Sequence, residues 1–198
     1  MNDIQHRIEA ERLDLADFLD TLTDADWAVT SLCPAWTVHD VVAHLTLSTR
    51  TSLSDVLRGA IRARGNWERM EADAALERAA AFTPAELITQ FRETAASTKR
   101  SPGSKPLDTL TDALVHGQDI AIPLGRDRQM PLDLAQAALD HVLKSPFYGA
   151  RKRFRNTRLT ATDTTWSAGQ GPTELRAPVR DLLLLATGRE ARANQIIN

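Results

Sequence analysis

A chain of 198 residues is long enough for one good hydrophobic core, or one core with a small appendage. Its 24 Lys and Arg against 26 Asp and Glu leave a net charge of -2, which argues against a dedicated nucleic-acid binder, whose footprint is a basic excess. No run approaches the roughly 18 apolar residues of a membrane helix, Met1 to Gln5 does not open a signal peptide, and the single cysteine excludes an internal disulfide framework. The expectation is a soluble, cytoplasmic protein in a reducing compartment, with no membrane or nucleic-acid partner.

Apolar side chains at Ile4, Ile8, Leu15, Leu19 and Leu22 among many charges predict an amphipathic helix from about Asp3 to Leu22. Thr23-Asp24-Ala25-Asp26 has the capping-box pattern for a short turn of helix bearing Trp27. Cys33-Pro34-Ala35-Trp36 then leads into a second capping box, Thr37 with Asp40, and a helix is predicted from Val38 toward Arg64, where Gly65-Asn66 stops it. His44 lies about two turns inside that helix, on the margin of the stripe made by Val38, Val41, Val42 and Leu45, so it faces a neighbouring helix rather than water. From Trp67 to Ala81 the chain is rich in Ala and Glu, and its pattern does not choose between helix and looser order.

Thr83-Pro84-Ala85-Glu86 starts another helix, with a cap, a first-turn proline and a glutamate at the third position; it should end by Lys99, ahead of the breaker Ser101 to Pro106. The next helix begins near Leu107 and ends before Pro123, with Gly125 closing the turn. It carries Asp112 and His116 at i and i+4, on one face and with Cβ atoms roughly 5–6 Å apart. Pro131 opens a further helix through Leu143. Four long amphipathic helices predict a bundle.

At Ser145-Pro146 the character changes. Arg158 to Thr162 alternates as a strand does, Trp166 begins a glycine-rich turn through Gly169, Gly171 and Pro172, and Pro178 to Ala186 reads as a final apolar helix capped by Gly188. The predicted organisation is a helical bundle over 1–145 and a small α+β module over 146–198, too short to stand alone and so packed on the bundle.

Two helices can thus bring His44, Asp112 and His116 to one point. Two histidines and a carboxylate leave a position open on a metal, the mark of a catalytic rather than a structural site. Zinc is the default ion, and nickel, iron(II) or cobalt suits the same ligands. The open position acidifies a water, or binds a thiol and deprotonates it. The bland alternatives are an interior histidine at 44 and an ordinary helix pair at 112 and 116. Asp40 reads as a cap, His39 as surface, and Cys33, in a loop with no basic partner adjacent, as a buried small hydrophobe. Trp36 reads as core or junction packing, near enough to the helix of His44 to line a pocket, and Gln118 and Asp119 are near enough to orient a ligand, although helix termination explains them as well. The run Arg151-Lys152-Arg153-Phe154-Arg155 reads as a solvated linker.

Cys33-Pro34, Trp36-Thr37-Val38, Asp40 to His44, the Asp112 to His116 pair with Gly117 and Asp119, and Pro123-Leu124-Gly125 together resemble the mycothiol-dependent maleylpyruvate isomerase family of the DinB-like superfamily. Ala161-Thr162-Asp163, Trp166, Gly169, Gly171-Pro172, Leu182 to Leu185 and Gly188-Arg189 resemble its C-terminal part, so the likeness spans nearly the whole chain. The resemblance implies a mainly α fold, a DinB-like four-helix bundle with the small α+β module. It further implies one divalent metal held by His44, Asp112 and His116, and mycothiol as the low-molecular-weight thiol cofactor. Asp112 stands where the family typically has glutamate, one methylene longer, and Ala35 where it usually has glycine. The implied activity is isomerisation or thiol transfer on a small, maleylpyruvate-like electrophile: thiolate addition to a cis alkene, rotation about the new single bond, and elimination of the trans isomer. The alternatives are a non-catalytic metal- or ligand-binding bundle and a hydrolase using bound hydroxide.

Overall fold

The computed structural model describes residues 2–101 and 103–189, and the chain divides into two compact units, one ending at Asp127 and one beginning at Arg128. The first is helical: α1 (Asn2–Leu19), α2 (Asp24–Trp27), α3 (Val38–Arg50), α4 (Leu53–Arg62), α5 (Trp67–Ala81), α6 (Pro84–Glu93) and α7 (Pro106–Ala121). α1 packs on α6 and α7, and α3 packs on the same two, so these four close into a bundle, with α5 against α3. Leu15, Leu19, Val38, Val41, Val42 and Leu87 are fully buried at its centre. Each such side chain contributes about 1.5–3 kcal/mol over an exposed one, which is what holds helices of this length together.

The capping boxes form as the sequence predicts: Asp26 accepts from Thr23 N at 2.8 Å and Asp40 from Thr37 N at 2.8 Å. One boundary differs. The sequence predicts one helix from Val38 toward Arg64, but α3 ends at Arg50, Thr51 turns to an extended conformation, and Ser52 and Asp55 form a fresh capping box for α4. α6 ends at Glu93, within the limit of Lys99 set by the sequence, and the buried Arg12 guanidinium takes the carbonyls of Thr94 and Ala95 just beyond it at 3.3 Å each. The Ala- and Glu-rich stretch left open by its pattern is helix α5, capped by Asn66.

Within Cys33-Pro34-Ala35-Trp36, Trp36 N donates to Cys33 O at 3.1 Å and Ala35 has φ 65. That is the form of a type II turn, with proline at its second position and a left-handed third position that favours glycine. A Cβ there is strained by about 1–2 kcal/mol, partly offset because alanine has less freedom to lose than glycine. Ala35→Gly is therefore expected to stabilise the fold by about 0.5–1 kcal/mol, raising the melting temperature by roughly 1–4 °C. An unchanged or lower value in a thermal scan would refute this reading.

The second unit holds α8 (Leu132–Lys144), α9 (Ala150–Arg153), β1 (Thr157–Ala161), β2 (Ser167–Ala168), β3 (Thr173–Ala177) and α10 (Val179–Ala186). The sheet order is β2-β1-β3, with β2 antiparallel to β1 and β3 parallel to it in the register Thr157 to Thr173 through Ala161 to Ala177. A Cβ on Gly171 would lie 1.9 Å from Asn156 O, so only glycine lets the chain pass the head of β1. α8 packs its buried stripe, Ala135, Ala138, Leu139 and Val142, on the leucine-rich α10, and so groups with the C-terminal elements, although the sequence predicts a boundary after it, at 145. The basic run is not merely solvated: Arg151 donates to Lys144 O at 2.7 Å and Arg153 to Ala186 O at 2.8 Å, capping α8 and α10.

Candidate functional site

α3 and α7 are neighbours in the bundle, and their facing sides carry His44 on one and Asp112 with His116 on the other. One ligand atom from each of the three lies within 4.8 Å of the other two. The rings of His44 and His116 stand 5.0 Å apart, close to perpendicular, and Trp36 lies tilted against His44 at 5.1 Å. Nε2 of His116 is 3.9 Å from Asp112 Oδ1, too far for a hydrogen bond and a few tenths of an ångström wider than the roughly 3.3–3.5 Å between two ligands on a tetrahedral zinc. The structure thus brings His44, Asp112 and His116 together as one group whose ligand atoms could hold a metal ion.

Behind His116 stands a second layer. Its Nδ1 lies 2.8 Å from Asp119 Oδ2, and Cys33 Sγ donates to that same oxygen at 3.1 Å. An ionised carboxylate only accepts, so Nδ1 carries the proton and Nε2 is directed at Asp112 and His44. This is the usual way a ligating imidazole is fixed in tautomer and orientation. Cys33, His116 and Asp119 also have ligand atoms within 4.8 Å of one another, and all three are buried. The 2.8 Å separation of Nδ1 and Oδ2 is nevertheless that of a hydrogen bond, shorter than two ligands of one zinc stand apart, so the geometry favours support over coordination for this set.

Burial works against charge on His116, but the hydrogen bond to Asp119, with Cys33 adding to it, outweighs that cost and holds the imidazole up to about 10, from an ordinary 6.5. Arg12 is a further buried ionic group near the centre. Burial lowers its pKa, and the carboxylate of Asp112 opposes that shift, while the guanidinium is tied to Ser48 Oγ at 3.2 Å and to the end of α6. It thus supplies a fixed positive charge near the one ligand that carries a negative one.

His44 and Asp112 also line a cavity of about 450 Å³ between α3, α4 and α5, within the size range of small-molecule sites. Arg58 and Arg62 enter it from α4, Asp73 and Glu77 from α5, and Met70 and Phe82 supply apolar wall. Cys33 and Asp119 are not among its lining residues. Two sequence expectations change here. Cys33 is buried as expected, but it does have a basic neighbour, since His116 Nδ1 is 3.7 Å from Sγ. His39 is not a surface residue: it is half-buried, with Nε2 3.0 Å from Phe82 O and its ring edge-on to Trp27. Asp119 was within reach of the sequence, three residues after His116 on the same helix, but nothing in the spacing distinguishes an orienting carboxylate from a helix-end residue.

Residues 8–110, more than half of the chain, match the family model described as the mycothiol maleylpyruvate isomerase N-terminal domain. Among solved structures, the crystal structure of the mycothiol-dependent maleylpyruvate isomerase is similar at a TM-score of 0.67 and 10% identity, over 95% of this chain and 89% of that one. A mutant of the same isomerase gives 0.65 and 9% identity over the same shares. At such identities these two likenesses carry the fold alone. No curated protein matches the sequence significantly. Among the described residues no helix is long and apolar enough to cross a membrane.

Proposed function

The chain belongs to the mycothiol maleylpyruvate isomerase N-terminal domain family, and from that membership we propose that it is a metal- and mycothiol-dependent isomerase or thiol transferase acting on a small, maleylpyruvate-like electrophile. The observation that carries the proposal is the convergence of His44, Asp112 and His116, the first two of which line a cavity of small-molecule size. These three hold the ion, most simply zinc. When bound, a divalent metal lowers the pKa of a coordinated thiol, so that a nucleophile is available at neutral pH.

The protein's own groups do the rest. Asp119 keeps the proton on Nδ1 of His116 and aims Nε2 at the centre. Asp112 supplies the anionic ligand and Arg12 a fixed charge near it. Trp36 backs His44 and limits the rotamers open to it. The cavity, with its mix of guanidinium, carboxylate and apolar wall, supplies polar recognition for the thiol and substrate. Cys33 takes no part as a nucleophile, since it lies behind His116 and does not line the cavity.

The test is turnover of maleylpyruvate by zinc-loaded protein with mycothiol present, omitted, or replaced by another low-molecular-weight thiol. Cis–trans isomerisation that needs both metal and mycothiol is expected. Turnover of an ester or amide without any thiol would favour the hydrolase. Tight metal binding with no turnover under any of these conditions would leave a ligand-binding bundle.

A further inference from the structure

α4 leaves a stripe of large apolar side chains uncovered. Its Asp55, Arg58 and Arg62 line the cavity, while Leu53, Leu57 and Ile61, at one-turn intervals, point away from it and are 75%, 63% and 70% exposed. A surface helix of a monomer ordinarily does the reverse. No residue of α4 is buried, and it packs principally on α5, where Gly59 sits so close to Met70 that a Cβ would fall 2.7 Å from Cγ. Among the described residues seven large hydrophobic side chains are exposed, and four of them, these three and Trp67, fall between 53 and 67. A ten-residue helix held on one side only gains little from its own hydrogen bonds, so this face calls for a partner.

We propose that the partner is a second copy of this chain, with α4 packing antiparallel on α4 about a twofold axis at Leu57. Three apolar residues evenly spaced about a central one are self-complementary under that operation: Leu57 meets Leu57, and Leu53 meets Ile61. The charges agree. Arg58 is paired with Asp55 at 3.4 Å and Arg62 with Glu77 at 3.0 Å, so both cations of α4 are matched within the chain. An anionic lipid surface or an acidic partner would be met by unmatched cations, whereas an apolar seam with neutral margins suits a copy of itself. Leu53, Leu57 and Ile61 expose on the order of 400 Å² per chain, about 800 Å² for a pair, the size of a weak, reversible contact rather than of a permanent dimer. Because the other side of α4 forms a wall of the cavity, the same contact fixes that wall.

Sedimentation of the whole protein between about 1 and 100 µM tests this. The expected result is a concentration-dependent dimer, and its loss at every concentration in Leu57→Asp, with circular dichroism unchanged and melting unchanged at concentrations where the parent is monomeric. Register is read by cross-linking under mild oxidation. Leu57→Cys should form a disulfide-linked dimer at least tenfold faster than Leu53→Cys alone, and mixing Leu53→Cys with Ile61→Cys should restore the rate; the native protein, whose Cys33 is buried, is the control. A protein monomeric throughout the range, or a dimer indifferent to Leu57→Asp, overturns the proposal. So does a monomer that floats with phosphatidylserine vesicles, which would assign the face to a membrane.

Discussion

His44→Ala and His116→Ala are each expected to abolish zinc binding, whereas Cys33→Ser should retain it. The parent protein, stripped and reconstituted, should hold about one equivalent, and loss of one of three protein ligands should weaken binding by more than the roughly 10–100-fold cost of losing an outer partner. Activity should fall with the metal. The comparison matters because two sets of donors share His116: His44 and Asp112 on its Nε2 side, Cys33 and Asp119 on its Nδ1 side. If the first set is the site, cobalt-substituted protein lacks a sulfur-to-cobalt charge-transfer band, and zinc raises the melting temperature of Cys33→Ser but not of His44→Ala. Added zinc at about 100 times its dissociation constant stabilises a binding-competent fold by about 2.7 kcal/mol, ample for a thermal scan. A sulfur band, or zinc retained by His44→Ala, would move the site to Cys33, His116 and Asp119.

The two helices that carry the centre were legible because their signals are local. Thr37 and Asp40 announce the start of α3, and Asp112 and His116 need only a helical period to share a face. That His44 meets them is a fact of packing between α3 and α7, and no spacing within either helix contains it. The break after Arg50 had a signal, since Ser52 and Asp55 repeat the capping pattern, but the apolar residues that follow continue the helical period and mask it. Their period is real, yet those residues face outward, so periodicity shows that a face exists without showing what covers it. β3 was missed for a related reason: its pairing with β1 is parallel and spans sixteen positions, and Thr173-Glu174-Leu175-Arg176 has too few apolar residues to look like a strand unaided.

Asp119→Asn is expected to change the pH dependence of metal binding more than binding at any one pH. In stripped protein the Asp119 carboxylate holds His116 protonated up to about 10, against 6.5 ordinarily. The folded value is the higher one, so the stabilisation is complete below about 6.5 and is lost as pH rises through about 10. Over that window stripped parent protein should lose stability, and stripped Asp119→Asn, starting lower at pH 7, should change less. Leaving a buried charge without its partner costs up to about 3–5 kcal/mol, an upper limit here because asparagine still offers an oxygen to Nδ1–H. Zinc must displace the proton on Nε2, so parent protein at neutral pH should release about one proton on binding, read by calorimetry in buffers of different ionisation enthalpy, and its affinity should rise about tenfold per pH unit. The variant should release less than the parent and show a flatter slope. The same carboxylate makes the imidazole a better base and a better ligand, so these effects oppose one another at pH 7 and separate as the proton leaves. Toward pH 9 the parent should bind zinc more tightly, approaching the roughly 10–100-fold attributed to such an outer partner. Equal proton release and equal slopes in the two proteins would mean that Asp119 does not govern His116.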